Sequence, residues 1–210
     1  NCVLVVSLLT PTMDAAAETA TEHVAAGMDQ FRENRIAASI RHFEQAAKLD
    51  PERAPHLWQY GISLYYAGEF EKGRRQFELH RTVNPHDVEN AAWHFQCVAQ
   101  LEGVDAARRA LIEIDTRRDR RVPMAEIYQL YAGHGSEDKI LRAAATANTE
   151  RARMYAHLYL GLWHEGLGNY ELARQHMQDA AAVDLQDNYM HEVAKVHLRQ
   201  RDWHEPASTP

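Results

Sequence analysis

Small and large apolar positions recur along this chain with a period of 34 residues. Gly27 and Gly61 are 34 residues apart, and a third copy, from Gly161 to Leu185, keeps the same internal offsets. The same spacing separates Phe43 from Phe77 and Pro51 from Pro85. Between these positions the apolar residues follow helical spacing, and no alternating run typical of a strand occurs. The pattern predicts an all-α protein built from repeated helix pairs.

The repeated positions have a common physical explanation when the repeats start at residues 20, 54 and 154. The eighth place is glycine in all three copies, as expected where two helices cross too closely for a side chain. The twenty-fourth place is large and fills the space between the helices, and the thirty-second is proline in two copies, which ends a helix. These places hold Gly27, Gly61 and Gly161; Phe43, Phe77 and Met177; and Pro51, Pro85 and Leu185. This period and pattern indicate the tetratricopeptide repeat (TPR), a helix–turn–helix unit that stacks into a solenoid.

Two smaller features of the repeat complete this interpretation. Gly68 and Gly168 lie seven residues after the crossing glycine, where the end of a helix favours glycine, and Asn34 takes this role in the first copy. At the twenty-seventh place His80 departs from the alanine of the other copies.

The middle of the chain breaks the period and predicts two further, degenerate helix pairs. Asp87 is an expected N-cap, a shorter helix is predicted from Val104 to Ile114, and a polar loop follows from Asp115 to Arg121. Pro123 suits the start of another helix, and Ser136 the cap of a helix that ends near Asn148. Between them Gly133 and Gly135 are loop glycines, and we expect Gly135→Ala to be tolerated much better than a substitution at Gly61.

The predicted fold is therefore a TPR solenoid of antiparallel helix pairs, with about three to four repeats and an irregular helical middle. The repeats lie near residues 20–53, 54–87 and 154–187, with the degenerate region at 88–150, a capping helix at 188–203 and a disordered tail at 205–210. The helical unit is expected to span residues 18–204.

Residues 1–17 resemble the remnant of a secretory signal peptide. Val3 to Leu9 is a mostly apolar run, and the alanines at positions 15–17 resemble a cleavage site. This predicts an exported protein, periplasmic or associated with the cell envelope. A disordered or partner-bound N-terminus is the alternative.

Composition narrows the possible partners. The formal net charge of −7 disfavours nucleic-acid binding. An arginine cluster in the polar loop could bind a phosphate or an acidic partner, or could simply be solvated; it comprises Arg117, Arg118, Arg120 and Arg121.

No catalytic or metal-binding pattern is evident in the sequence. Among the 13 histidines, His157 and His164 are seven residues apart and share a helix face, but no third ligand is evident. Neither a nucleophile elbow nor a phosphate-binding glycine loop occurs. Cys97 lies at a small packing position, and two cysteines do not make a disulfide scaffold. We therefore predict no enzyme activity, no cofactor and no metal.

The first helix of each TPR unit usually lines a concave groove, and here those places are aromatic and apolar. Such a surface is typical of protein-binding hot spots. The alternative is that part of this stripe is covered internally, for example by the irregular middle helices folding back. The predicted groove residues are Phe31, Trp58, Ile62, Tyr65, Tyr66, Tyr155, Leu158 and Leu162.

Several segments outside the repeat consensus resemble the NlpI-type TPR lipoproteins of bacteria, from about Pro55 to Leu198. These segments are Gly61 to Tyr66, Trp93, Tyr131 to Gly133, Ser136 to Glu137, Tyr159 to Gly161, and Leu167 to Gly168. The resemblance implies a non-enzymatic, periplasm-facing adaptor that can dimerise, docks a carboxy-terminal processing protease of the Prc type, and brings cell-wall hydrolases to it. Cys2 is not a lipobox cysteine, because an apolar run follows it, so a lipid anchor is not supported.

Two functions remain open at this point. The first is an exported adaptor or scaffold that binds other proteins. The second is a TPR assembly or regulatory factor in another compartment, such as a plastid or the cytosol.

Overall fold

The computed structural model describes residues 19–203 of the chain, and these residues form helices and no strand. The α-helices are α1 (Ala20–Arg32), α2 (Ile36–Leu49), α3 (Trp58–Tyr66), α4 (Phe70–Arg81), α5 (Val88–Glu102), α6 (Val104–Arg109), α7 (Met124–Tyr131), α8 (Glu137–Ala147), α9 (Glu150–Gly166), α10 (Tyr170–Ala181) and α11 (Tyr189–Gln200). Two 3₁₀ helices lie at Pro51–His56 and Thr116–Arg118. The all-α prediction is confirmed. The predicted signal-peptide remnant at 1–17 and tail at 205–210 lie outside the described residues.

Local sequence sets the ends of many of these helices. Thr19 and Glu22 form a capping box at α1: the Thr19 hydroxyl accepts from the Glu22 N–H, and the Glu22 carboxylate accepts from the Thr19 N–H. Asp87 caps α5 by accepting from the N–H of Glu89 at 3.1 Å, as the sequence predicts. Asn34 and Gly68 adopt left-handed backbone with φ of 63° and 75°, which ends α1 and α3 at the expected places.

One predicted helix is shorter than expected. The sequence predicts a helix from Val104 to Ile114, but α6 ends at Arg109. The residues after it are held by other elements instead: the hydroxyl of Tyr128 donates to the carbonyl of Ile112 at 3.2 Å. The N–H of Asp115 donates to Nδ1 of His86 at 3.1 Å. Tertiary hydrogen bonds thus replace the helical ones in this segment.

The crossing glycines contact the large side chains that the 34-residue period predicts. A Cβ atom at Gly61 would lie 2.6 Å from Cζ of Phe77, and one at Gly27 would lie 3.0 Å from the ring of Phe43. At Gly161 a Cβ atom would lie 3.0 Å from the side chain of Met177. Each helix pair therefore depends on a position with no side chain.

We expect Gly61→Ala to lower the free energy of unfolding by about 1–3 kcal/mol, the usual effect of overpacking. The added methyl group has to displace the fully buried ring of Phe77. Chemical denaturation of the two proteins measures the difference. The double variant Gly61→Ala/Phe77→Leu should lose less stability than the sum of the two single changes, because the smaller side chain leaves room for the methyl group.

The matched control is Gly166→Ala, also within a helix. There the nearest atom to the new Cβ would be the flexible end of Gln96 at 3.3 Å, so the change in stability should stay within about 1 kcal/mol. Gly135, expected from sequence to tolerate alanine, is not a suitable control. A Cβ atom there would lie 2.5 Å from the backbone nitrogen of Leu130, so this expectation is wrong. Equal effects of alanine at Gly61 and Gly166 would contradict the packing role.

The inner helices form a closed ring. Helix α1 contacts α3, α3 contacts α5, α5 contacts α9, and α9 contacts α11, which contacts α1 again. The closing contact is specific, because Arg199 donates to the carbonyl of Arg32 at 2.6 Å and Gln200 donates to Oδ1 of Asn34 at 2.7 Å. The C-terminal helix thus packs on the first helix of the chain.

A buried polar cluster joins α11 to α3 and α9. The Tyr65 hydroxyl donates to Oε2 of Glu165 at 3.1 Å, and the Arg201 guanidinium bonds to the other carboxylate oxygen. The Tyr66 hydroxyl lies 3.0 Å from Nδ1 of His197, whose side chain is fully buried. These contacts fasten the closing helix through charged and hydroxyl groups.

Among the helices described, none combines the length and the apolar character needed to cross a membrane.

Candidate functional site

The predicted groove is filled rather than open. Seven of its eight residues are buried, and only Trp58 is half-buried. The buried residues are Phe31, Ile62, Tyr65, Tyr66, Tyr155, Leu158 and Leu162. The prediction that these side chains form a solvent-facing binding groove is therefore wrong.

The reason is the ring closure, which brings other aromatic side chains into the concave side. The Tyr189 ring of α11 stacks on Phe31 with centroids 5.5 Å apart and meets Trp58 edge-on at 5.3 Å. From α5, Trp93 packs against Tyr65 with centroids 5.4 Å apart. The alternative of internal coverage therefore holds, although α11 provides part of the cover in addition to the irregular middle.

The four arginines of the polar loop have different surroundings. Arg117 is 88% exposed and, among residues 19–203, bonds to the nearby Asp115 alone, at 2.8 Å. Arg118 and Arg120 are also exposed. Arg121 is instead surrounded by carboxylates, so it does not offer a free positive charge to a phosphate or an acidic partner.

Arg121 holds three carboxylates together. It bonds to Asp87 at 2.5 Å, to Asp119 at 2.6 Å, and to Glu89. The Glu89 carboxylate also accepts from the hydroxyl of Tyr159 at 2.9 Å. One guanidinium therefore faces three acidic groups, and the cluster carries an excess of negative charge.

The cluster lies at the edge of a cavity of about 250 Å³ between α3, α4 and α5. Its walls are aromatic on one side and polar on the other. The lining residues are Trp58, Phe77, His80, Asn84, Asp87, Glu89, Asn90, Trp93 and Arg121. A shallower depression of about 470 Å³ shares Asn84, Asp87 and Arg121 with it and is also lined by Arg118.

Two buried acceptors in the cavity wall have no hydrogen-bond partner among residues 19–203. The Nδ1–H of His80 donates to the carbonyl of Pro55 at 2.8 Å, so in the neutral ring Nε2 is an acceptor. The Asn90 amide donates to the carbonyl of Phe77 at 3.0 Å, which leaves its Oδ1 as an acceptor. Both residues are at most 5% exposed. Buried polar groups are normally paired, so these two atoms indicate a missing donor.

The carboxylates beside these acceptors differ in their acidity. Burial raises the pKa of Asp87, but the neighbouring His80 and the charge and hydrogen bond of Arg121 outweigh this effect, so the net pKa is lowered and Asp87 is ionised. Burial raises the pKa of Glu89 to about 7, against the opposing effect of Arg121. Nε2 of His80 lies 3.9 Å from Oδ2 of Asp87. The acceptor side of the cavity is thus arranged around an ionised carboxylate.

One donor complements these acceptors. The Nε1–H of Trp93 is buried and has no acceptor among the described residues. The cavity therefore suits a guest with a positively charged donor group and a carbonyl, against an aromatic wall.

Most residues of this cavity were not singled out as binding residues by the sequence. The sequence identified His80 only as a departure from the repeat, Asp87 only as a helix cap, and Trp93 only as part of the family resemblance. Asn90 gave no signal. A signal for Asp87 and Asn90 is the mostly polar segment from Asn84 to Asn90, at the end of the second repeat.

No protein-family model matches this chain.

Proposed function

We propose that this protein is a non-enzymatic, TPR-type adaptor that binds other proteins. Its binding site is the cavity lined by Trp58, His80, Asp87, Asn90 and Trp93, and not the groove predicted from the repeat pattern. The observation that carries the proposal is the pair of buried, unpartnered acceptors, His80 Nε2 and Asn90 Oδ1, beside the ionised Asp87. The 34-residue period supports the TPR assignment of the helix pairs.

The chemistry of the cavity selects a cationic guest. An ammonium group has three donors, which matches the acceptors on His80, Asn90 and Asp87. The indole rings of Trp58 and Trp93 supply faces that attract a cation. A peptide carbonyl next to the charged group would satisfy the Trp93 indole N–H. We therefore infer that the cavity accepts a lysine side chain or a free amino terminus of a partner protein.

A positional peptide library tests this inference. Each position would carry lysine, acetyl-lysine or glutamate, and binding to the purified chain would be measured by fluorescence polarisation. Peptides with free lysine at one position should bind at least about tenfold more tightly than the acetylated ones, because acetylation removes the charge. A library with no preference, or with a preference for glutamate, would exclude a lysine side chain as the guest.

Trp58→Ala should weaken the selected peptide by about 2 kcal/mol, roughly 30-fold, because Trp58 is the only half-buried aromatic wall of the cavity among the described residues. Tyr170→Ala is the matched control, since Tyr170 is 62% exposed and lies on α10, away from the cavity. Tyr65→Ala is unsuitable, because Tyr65 is buried and donates to Glu165. If Trp58→Ala and Tyr170→Ala bind equally, the cavity is not the binding site.

The family resemblance suggests which partner protein should be tested first. We propose that the chain from Glu18 onward binds a carboxy-terminal processing protease of its own host and increases degradation of a third protein, such as a cell-wall hydrolase. Trp58→Ala should reduce both effects if the cavity is used. If the correctly folded protein binds no such protease, the protease proposal is wrong. The broader adaptor proposal is tested separately by the peptide library. Whether residues 1–17 are removed in the host distinguishes the exported adaptor from a plastid or cytosolic assembly factor.

A further inference from the structure

A second cluster of polar side chains lies between α8, α9 and α10, far along the chain from the cavity. His157 and His164 lie on α9, as the sequence predicts, and α10 adds His176 and Asp179 across the helix pair. Glu137, at the start of α8, completes the cluster. The sequence argument against a metal depended on the lack of a third ligand, and the structure supplies that ligand from the facing helix.

The distances within the cluster match those of a coordination site. Nδ1 of His157 and Nδ1 of His176 are 3.0 Å apart, and Nδ1 of His157 is 3.4 Å from Oδ2 of Asp179. Two nitrogens bound to one tetrahedral Zn²⁺ at about 2.0–2.1 Å would be separated by about 3.3 Å. One ligand atom from each of His157, His176 and Asp179 lies within 4.8 Å of the others. The two histidine nitrogens are therefore within a few tenths of an ångström of the separation that a shared Zn²⁺ would give them.

The other two residues of the cluster, His164 and Glu137, lie beside His176. The ring of His164 stacks on that of His176, with centroids 5.5 Å apart and planes 7° apart. Ligand atoms of Glu137, His164 and His176 also lie within 4.8 Å of one another. The second nitrogen of a metal-bound imidazole commonly donates to a carboxylate, and Glu137 is placed to provide one.

His164 has an unusual environment for a purely structural residue. Its side chain is 4% exposed, and within residues 19–203 neither ring nitrogen makes a hydrogen bond. Its Nε2 is 3.2 Å from a carboxylate oxygen of Glu137, but the two groups are not oriented for a hydrogen bond. The contact with Glu137 and the stacking on His176 therefore fix this buried imidazole within the cluster.

The first repeat contains a natural comparison for this cluster. His23 and His42 occupy the equivalent repeat places, and their Nδ1 atoms are also 3.0 Å apart. The places of His164 and Asp179 hold Gln30 and Gln45 in that repeat. A histidine pair across two helices therefore occurs in both repeats, whereas Asp179 and the third histidine occur in the last repeat alone, and Glu137 comes from the helix pair before it.

We propose that α9 and α10 bind one divalent transition-metal ion of the zinc class through His157, His176 and Asp179, with Glu137 and His164 orienting His176. Two imidazoles and one carboxylate form a ligand set that Zn²⁺ accepts, with water in the fourth position. Solvent reaches the site through a surface depression of about 540 Å³ that His157 and Asp179 line together with Glu150. The ion would fasten the second helix of the last pair to the first.

Calorimetric titration of the tag-free chain with zinc chloride tests the proposal. The wild type should bind one equivalent with a Kd below about 10 µM. His176→Gln should abolish this binding, whereas His42→Gln, the equivalent change in the first repeat, should leave it intact. Asp179→Asn should weaken binding by about tenfold or more, and this half-exposed residue can be changed without disturbing the core.

A second measurement distinguishes loss of the metal site from loss of the fold. Without metal, the three variants should show helical circular dichroism like that of the wild type. With excess zinc, the melting temperature should rise for the wild type and for His42→Gln, but not for His176→Gln, because only a folded site binds the ion. Equal zinc affinity of the wild type, His176→Gln and Asp179→Asn, or no binding by the wild type, would overturn the proposal. Neither result bears on the peptide-binding cavity, which shares no residue with this site.

Discussion

Glu165→Gln is expected to lower the free energy of unfolding by about 3 kcal/mol, the typical effect of breaking a buried ion pair. The Glu165 side chain is 4% exposed and bonds to Arg201 and Tyr65. Glutamine keeps the size of the side chain but removes its charge, so the guanidinium of Arg201 is left partly buried without a counter-charge. Chemical denaturation at neutral pH measures the difference.

Glu171→Gln is the matched control for this prediction. Glu171 also pairs with an arginine, Arg174, at 2.5 Å, but its side chain is 78% exposed. Exposed pairs of this kind contribute little, so the free energy of unfolding should change by less than about 1 kcal/mol. A similarly small effect of Glu165→Gln would mean that the buried cluster does not hold α11 in place.

The second large effect concerns pH and His197. Burial lowers the pKa of His197 to about 4 from an ordinary 6.5, and the nearby Arg201 acts in the same direction. The ring is therefore neutral in the folded protein and becomes protonated more readily in the unfolded chain. Because its folded pKa lies below its unfolded pKa, its contribution to stability is complete above pH 6.5 and is lost as the pH falls towards 4.

A comparison with His197→Gln isolates this contribution. The wild type should be more stable at pH 7, and its advantage over the variant should shrink by about 3 kcal/mol between pH 7 and pH 4. Other groups change the stability of both proteins alike. Glu89, whose pKa burial raises to about 7, acts in the opposite direction over the same range, but it cancels in the difference. An advantage that stays constant with pH would show that His197 does not titrate in this way.

The surroundings of His197 explain why it remains neutral. The Tyr66 hydroxyl bonds to Nδ1, and Glu165 lies 3.7 Å from Nε2 but is already paired with Arg201. Burial raises the pKa of Glu165, whereas His197, once protonated, and Arg201 lower it, and the net pKa is lowered. Arg201 therefore satisfies the carboxylate that would otherwise favour a charged imidazole.

The fold was largely predictable because local rules decide it. The contact of Gly61 with Phe77 follows from a period that is visible in the sequence, and the backbone at Asn34 and Gly68 follows from turn preferences. The end of α6 was not predictable, because hydrogen bonds from Tyr128 and His86 decide it, and these residues are distant in sequence.

The proposed binding residues were harder to predict, because the curvature of the helical array decides which inner side chains are exposed to solvent. In an open solenoid, each inner helix would expose its aromatic residues to solvent. No local feature of the sequence shows that the ring of Tyr189 packs on Phe31 and covers it. The proposed metal-binding cluster was also not predictable, since His176 lies on the facing helix, 12 residues beyond His164. Side chains that meet across helices are not identified by spacing along one helix.

The segments that carry the family resemblance are largely in the core. Tyr65, Trp93 and Tyr159 are at most 1% exposed. Such residues report how the chain packs, whereas a partner contacts the surface. The resemblance therefore carries more information about architecture than about the protein that is bound, which is why the protease is proposed as a first test.

The contact between α11 and α1 also fixes how many units this protein can contain. An open solenoid can gain or lose a helix pair during evolution, because each unit contacts only its neighbours. Here an inserted pair would carry Arg199 and Gln200 away from Arg32 and Asn34 and would expose Phe31 and Tyr189. Lineages of this protein should therefore vary in loop length and surface residues, but duplication or deletion of a whole repeat should be rare among them.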